Sequence, residues 1–341
     1  MIVKKLDIYN EDECTKWESF VLSNGYLYHS YKWSHILKKS YNFEPLYLYL
    51  DDNGEIVSVF PLIFVNFPFV KNELVSVPHV EAGGIVNEKY FEYFFKYLQN
   101  NFKNKNILIY QFKNEIGDFP KNEVNSLFML EMPKSEDELF KYLRKGFKRS
   151  AKNLLTNTDV EVIKGNSETF VNLLYKFNVI KSKEFGVPHH SFDFFTNLVE
   201  SFNDNALIFV AKKDGNPIGA SFIIFYNKIG YHIYHFVPDK FLKMKVGLIL
   251  YCHIFSESLR RGMKIFSFGR SPKGSGVYKF KMQMKATPYP LYIYNFSIKD
   301  KLYAEKIKII SEKYSWAAEI WKKLPDGFTN YISPLLRKWV Y

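Results

Sequence analysis

Cysteine is nearly absent. Cys14 and Cys252 are the only two in 341 residues, too far apart in sequence to suggest a disulfide framework or a C-x-x-C metal pair. Long apolar runs are missing too. The longest, residues 56–70, is interrupted by Pro61, Asn66 and Pro68, and no transmembrane helix fits there. The opening residues alternate charges with apolar side chains and hold no continuous apolar stretch, which argues against a secretory signal. Neither a low-complexity tract nor a Gly/Ser linker occurs. A reduced, cytoplasmic, soluble protein is the expectation. Arginine is scarce: Arg144, Arg149, Arg260, Arg261, Arg270 and Arg337 are the only six among 47 basic residues. Because Arg holds phosphate or carboxylate bidentately and Lys does not, Arg270 beside a Gly-rich turn stands out.

What is present is ordinary globular composition, 47% hydrophobic and 24% charged, long enough for about two domains without disulfides. Forty-seven bases against 35 acids leave a net charge of +12, which suits an anionic partner such as nucleic acid, a phosphorylated substrate or an acidic membrane face. A general lysine bias accounts for part of that surplus, which is too diffuse to favour DNA.

The chain alternates strands and helices, an α/β pattern with mixed sheets. Residues 46–50 and 56–65 form two strands around Asp51-Asp52-Asn53-Gly54. The unit recurs at 207–211 and 217–226 around Lys212-Lys213-Asp214-Gly215, with Gly54 and Gly215 standing 161 positions apart. We read this as a tandem duplication. Helices are expected over 87–104, 136–155 (opened by Ser135 and Glu138 as a capping box), 168–184, 192–202, 242–261 and 299–321. Further strands are expected at 265–268 and 291–296, and the missing linker predicts two tightly packed halves.

The most informative stretch runs from Phe266 to Lys281. A strand ends, a loop containing Gly269, Ser271, Gly274, Ser275 and Gly276 follows, and a short helix begins near Val277 with Tyr278. Such a loop offers backbone N–H groups and a helix N-terminus to an anion or oxyanion. Arg270, Lys273, Lys279 and Lys281 crowd the same place. A solvated turn with incidental lysines is the competing reading. The phosphate-binding pattern G-x-x-x-x-G-K-S/T is absent, which disfavours nucleotide hydrolysis.

Here the sequence resembles the FemAB-like proteins, which are tandem-GNAT acyltransferases, and within them the subgroup associated with PEP-CTERM and exopolysaccharide systems. The specific motif is F-G-R-S-x-x-G-S/T-G followed by F-K, present as Phe268 to Gly276 and Phe280-Lys281, and then Pro288-Tyr289-Pro290-Leu291-Tyr292. Weaker matches cover nearly the whole chain: His29-x-x-x-Trp33, Val59-Phe60-Pro61-Leu62, Leu74 to Pro78 with Gly83-Gly84, Phe185-Gly186-Val187-Pro188, and Trp321 to Pro325 with Ile332-Ser333-Pro334. The W-G-F that usually follows the Lys is replaced by Met284-Lys285-Ala286.

The resemblance implies two GNAT-like halves, residues 1–133 and 134–297, and a C-terminal helical segment, 298–341, packing back on the first half. It implies acyl or aminoacyl transfer to an amine of a cell-envelope precursor or polysaccharide, the donor being acyl-CoA or aminoacyl-tRNA and no cofactor tightly bound. By that likeness Lys281 meets the oxyanion of the tetrahedral intermediate, and Phe280 packs against the donor. Arg270, Ser271, Lys273, Gly274, Gly276, Tyr278 and Lys279 would line the substrate site, with His29, Trp33, Gly83, Gly84 and Pro188 from the weaker matches.

Other residues have two readings each. The CoA pattern Q/R-x-x-G-x-G/A would fall at Lys243 to Ile249, which does not satisfy it. His189-His190 read as loop or cap residues rather than a base or metal pair, since no third ligand is suitably spaced, and no metal is expected. His232 and His235 read as packing or hydrogen-bonding residues in a strand, and Cys252 and His253 as helix core. Lys141, Arg144, Lys145, Lys148 and Lys152 make a basic stripe flanked by Arg149. It is either a solvated face or a clamp for the phosphates of tRNA or of a lipid-linked acceptor. The C-terminal run from Trp321 to Tyr341 mixes aromatics with bases, which suits packing on the first half or peripheral contact with the inner membrane face. The rival to an enzyme is a non-catalytic binding module for an anionic glycolipid or RNA.

Overall fold

A computed structural model describes residues 1–65, 73–135, 138, 159–299 and 315–340. The chain divides into two compact units: residues 1–127 with 289–299, and residues 128–288 with 315–340. In chain order the elements are β1 (Ile2–Lys5), α1 (Glu11–Asn24), α2 (Lys32–Tyr41), β2 (Glu44–Asp52), β3 (Glu55–Val65), β4 (Glu73–Val75), α3 (Phe91–Phe102), β5 (Asn106–Phe112) and β6 (Lys121–Glu131). There follow β7 (Val160–Gly165), α4 (Glu168–Phe185), α5 (Phe192–Phe202), β8 (Ala206–Lys213), β9 (Asn216–Tyr226), β10 (Ile229–Phe236) and α6 (Val246–Arg260). The last are β11 (Ile265–Pro272), α7 (Gly276–Gln283), β12 (Thr287–Ser297), α8 (Ser315–Lys323) and α9 (Asp326–Arg337).

The strands of the first unit are ordered β1-β2-β3-β4-β5-β12, and those of the second β11-β10-β9-β8-β7. The duplicated hairpins match in register. Pairs from Pro45↔Ile63 to Asp52↔Glu55 map one for one onto Ala206↔Ile224 to Lys213↔Asn216. Each hairpin also carries a bulge at the same point, Leu50/Asp51 in one and Ala211/Lys212 in the other. A bulge is an extra residue that displaces everything after it, so its recurrence supports the duplication more strongly than the turn sequences do.

Each unit also contains one parallel pair. β4 runs beside β5 from Glu73↔Asn106 to Val75↔Leu108, and β10 beside β11 from Ile229↔Ile265 to Tyr231↔Ser267. The parallel register ends after three residues in both, and the region just beyond that point is termed the wedge.

The C-terminal third differs from the sequence expectation. β12, assigned above to the second half, pairs with β5 of the first unit from Leu291↔Phe112 to Ser297↔Asn106. Its apolar side chains complete an aromatic core: Phe296 stacks on Phe119 with ring centroids 4.9 Å apart, and the Tyr294 hydroxyl accepts a hydrogen bond from the Ile116 N–H at 2.8 Å. Burying each such ring contributes about 2 kcal/mol or more. Helices α8 and α9 pack on the second unit instead of the first. Lys183 of α4 donates to the Leu324 carbonyl and pairs with Asp326 at 3.3 Å, and Arg337 donates to His190 Nε2 at 3.1 Å. Gly186, the left-handed cap of α4 at φ 72°, lies so close to Ala318 that a Cβ there would overlap it.

The helix expected over 242–261 is broken. Lys245 takes a left-handed conformation (φ 56°), ending a 3-10 turn, and α6 starts afresh at Val246. Half of the expected capping box is present: the Ser135 hydroxyl accepts from the Glu138 N–H at 3.3 Å, while the Glu138 carboxylate accepts from the Lys134 N–H at 3.0 Å and not from that of Ser135. The rest of the stretch expected to be helical, with Arg144, Lys145, Lys148 and Arg149, lies outside the described residues.

Candidate active site

In the second unit the wedge between β10 and β11 gathers titratable side chains. β10 has a bulge between His232 and Tyr234, so His232 opposite Ile223 and His235 opposite Ser221 are two steps apart along the ladder. Without the bulge they would face opposite sides of the sheet. With it they share a face, and their ring centroids lie 5.2 Å apart. His235 Nδ1 hydrogen-bonds the Ser221 hydroxyl at 2.7 Å, and His232 Nδ1 the Tyr251 hydroxyl of α6 at 3.0 Å. The Tyr251 ring stacks on His235 at 5.2 Å. His232 Nε2 is buried and has no hydrogen-bond partner. Such an orphan costs stability and persists only where something else is gained.

Lys281, on α7, closes the cluster. It is 4% exposed, and its ammonium donates to the carbonyls of Gly269 and Arg270, both at 3.0 Å. Gly269 at φ 71° supplies a left-handed bend that other residues adopt only with strain. The ammonium also sits 5.5 Å over the Phe128 ring. Burial first, and then the charges of Lys181 and Lys281, hold the His235 imidazolium down to a pKa of about 4. Burial, with His235 and Lys281 behind it, also holds His232 well below its ordinary value. Burial likewise raises the Tyr251 phenol. At neutral pH the wedge therefore holds neutral imidazoles beside a cationic lysine.

The helix entrances fit this picture. α7 begins at Ser275, whose hydroxyl accepts from the Tyr278 N–H at 3.1 Å. α6 begins just before Gly247, and a Cβ added at Gly247 would stand 2.9 Å from His235 Nε2. Only glycine lets the helix start approach the imidazole so closely.

The structure brings Lys281, Phe280, Arg270 and Ser271 together with His232, His235 and Tyr251. Phe280 faces Tyr251 with centroids 5.7 Å apart, and the Ser271 hydroxyl is turned back onto the Arg270 carbonyl at 2.8 Å. Lys273, Gly274, Gly276 and Lys279 are exposed around the start of α7. Tyr278 packs edge-on against Phe128 at 4.8 Å, a core contact. Pro188 is buried in the turn after α4. Beside it His190 stacks on Phe194 at 4.3 Å and bonds the Tyr234 hydroxyl at 3.0 Å, so it serves packing. Among the described residues, no group of three His, Cys, Asp or Glu is placed to hold a metal.

His29, Trp33, Gly83 and Gly84 belong to the first unit, and there the corresponding wedge is stitched shut by its own chain. The Ser76 N–H donates to the Leu108 carbonyl at 2.9 Å, and its hydroxyl accepts from the Tyr110 N–H at 2.8 Å. The Gln111 side chain clamps Ile85, accepting from its N–H at 2.8 Å and donating to its carbonyl at 3.1 Å. Counting three residues on from the last parallel pair, Gln111 stands where Arg270 stands in the second unit. His29 Nδ1 accepts from the Tyr26 N–H at 3.1 Å, and the Trp33 indole donates to the Leu27 carbonyl at 2.9 Å. Trp33 is tied to local backbone, and His29 to the backbone of Tyr26 and of Gly84. A Cβ at Gly84 would overlap Gln111 Oε1 and displace that side chain from its clamp on Ile85. Gly84→Ala is expected to destabilise by about 3 kcal/mol by breaking the clamp. Gly327→Ala, with open space around it, should stay within about 0.5 kcal/mol of the parent. Urea unfolding of the two variants checks this.

Comparison with known proteins agrees with the geometry. The acetyltransferase (GNAT) domain family matches residues 141–282, the part of the chain that contains the wedge. The fold as a whole is that of the tandem GNAT proteins. The structure is similar to FemX, with TM-score 0.64 at 12% identity over 83% of this chain and 96% of that one. It is also similar to L-PGS from Bacillus licheniformis (0.53, 13%, 91% and 97%) and to a tandem GNAT protein from the clavulanic acid biosynthesis pathway (0.54, 8%, 86% and 97%). No curated protein matches the sequence. At these identities the likeness is one of fold.

Proposed function

We propose that the wedge of the second unit is the active centre of an N-acyltransferase or aminoacyltransferase of the FemAB-like kind, acting on an amine of a cell-envelope precursor or polysaccharide. The observation that carries this is the buried Lys281 ammonium set beside two neutral imidazoles at the mouth of a GNAT parallel pair. The amine nitrogen attacks the donor carbonyl, the carbonyl oxygen gains negative charge, and the Lys281 field stabilises it. The C–S or C–O bond to the donor then breaks. The nitrogen gives up its proton, to His235 in this reading, and the proton passes to the departing thiol or hydroxyl.

The GNAT match favours an acyl-CoA donor, whereas the residues from Lys243 to Ile249 depart from the usual CoA pattern and leave aminoacyl-tRNA in play. The PEP-CTERM and exopolysaccharide association rests on the sequence motifs alone. Thermal-shift measurements against acyl-CoAs and against charged and uncharged tRNA, each with and without a polyprenyl-diphosphate sugar, separate the donors. At a ligand concentration one hundredfold above Kd, binding adds about 2.7 kcal/mol, a shift easily read. Stabilisation by a CoA thioester assigns the CoA donor, and stabilisation by aminoacyl-tRNA alone assigns the other. Silence from both arms overturns the enzyme reading in favour of a binding module for an anionic glycolipid or RNA.

A further inference from the structure

Helix α9 leaves its largest apolar side chains exposed and half-buries Ile332 and Leu336. Its buried residues are Thr329 and Ser333, one turn apart on the inner face, with the Ser333 hydroxyl bonded back to the Thr329 carbonyl at 2.6 Å. Phe328, Tyr331 and Leu335, at i, i+3 and i+7, are 50%, 79% and 57% exposed. In α8, Trp316 and Ile320 lie one turn apart and are 65% and 51% exposed. Packing alone would turn these five side chains inward, since each contributes about 2 kcal/mol when buried.

Bases stand at the ends of the same two helices. Lys322 and Lys323 end α8, and Lys338 follows α9 with its ammonium 4.5 Å over the Trp339 ring. The two acids of these helices are already paired, Glu319 with Lys322 at 2.7 Å and Asp326 with Lys183 at 3.3 Å. Among the described residues no helix is long and apolar enough to cross a membrane.

We propose that the outer faces of α8 and α9 dock on the surface of an anionic lipid bilayer. The aromatic and leucine side chains enter the interface, and the lysines meet the headgroup phosphates. A second copy of this chain fits less well. A two-fold contact through the same face would set these lysines against themselves, in a chain of net charge +12. The inference is independent of the catalytic proposal.

Co-flotation of the full chain with vesicles tests it, using phosphatidylcholine alone and phosphatidylcholine mixed with phosphatidylglycerol. The parent is expected to float with the mixed vesicles, to stay behind with phosphatidylcholine, and to be released by high salt. Tyr331→Ser with Leu335→Ser should weaken partitioning about tenfold or more, with circular dichroism and thermal midpoint unchanged because both positions are exposed. Flotation that is absent from both vesicles, equal in the two, or undiminished in the double variant overturns the proposal. Sedimentation as a dimer that the double variant dissociates assigns the face to a second copy instead. Capture of an acidic protein without flotation assigns it to that partner.

Discussion

Lys281→Ala is expected to lower turnover about a hundredfold to a thousandfold, the usual cost of removing one preorganised group that faces a developing oxyanion. The site's construction lets that result be told apart from unfolding. Lys281 is a charge held in place by two carbonyls, those of Gly269 and Arg270, and by the face of Phe128. Truncation leaves the two carbonyls without that donor, which costs about 1–3 kcal/mol. The variant should therefore melt a few degrees earlier and still fold. A lysine that only braced the bend at Gly269 would produce the melting change with turnover scaled to the folded fraction. One acting on the transition state would lower kcat far beyond that fraction. Steady-state kinetics beside a thermal melt of the same sample decide between them. A binding module lacking chemistry would instead lose a modest share of affinity.

The acceptor of the proton is approached through the same geometry. His235→Asn keeps a polar group near Ser221 and removes the imidazole, so a loss of kcat with KM little changed is expected if His235 takes the proton. A loss confined to KM would place His235 in binding instead.

The duplication was legible because a hairpin turn is local: Asp51 to Gly54 and Lys212 to Gly215 state their chemistry within four residues, and strand alternation carries the rest. Lys281 was legible because its motif is compact. The two histidines were not, since period-two reading puts His232 and His235 on opposite faces of β10. The bulge that realigns them leaves no composition signal, and only the odd spacing of two histidines in one strand hinted at it. Nothing in the sequence singled out Tyr251, which the structure buries and ties by a hydrogen bond to His232. The C-terminal segment was expected on the first half and packs on the second unit, because apolar spacing in α9 identifies a face without saying which unit it meets.

Acidification is expected to destabilise the fold steeply between pH 6.5 and pH 4. His29 and His235 each have an ordinary value of 6.5, and burial lowers both to about 4 in the folded chain. The unfolded chain therefore binds protons in that window which the folded chain refuses. Stability contributed by the neutral imidazoles is complete above pH 6.5, falls as the pH drops, and stops falling near pH 4, where the folded state also protonates. Each such histidine is worth roughly 3 kcal/mol over the window, and His232 acts in the same direction. Two or three of them amount to much of the roughly 5–15 kcal/mol that a native protein has. Carboxylates act lower down. Glu257, held to about 2 by Arg260, Lys164 and Arg261 against its burial, loses its contribution only below its ordinary value of 4.5. Urea unfolding followed from neutral pH downward thus separates the two groups, and a flat profile above pH 4.5 would exclude buried neutral histidines. His235→Asn should reduce the slope by up to about 1.4 kcal/mol per pH unit, the value for one proton. The same burial that makes the fold acid-sensitive keeps His232 and His235 neutral beside Lys281 at neutral pH.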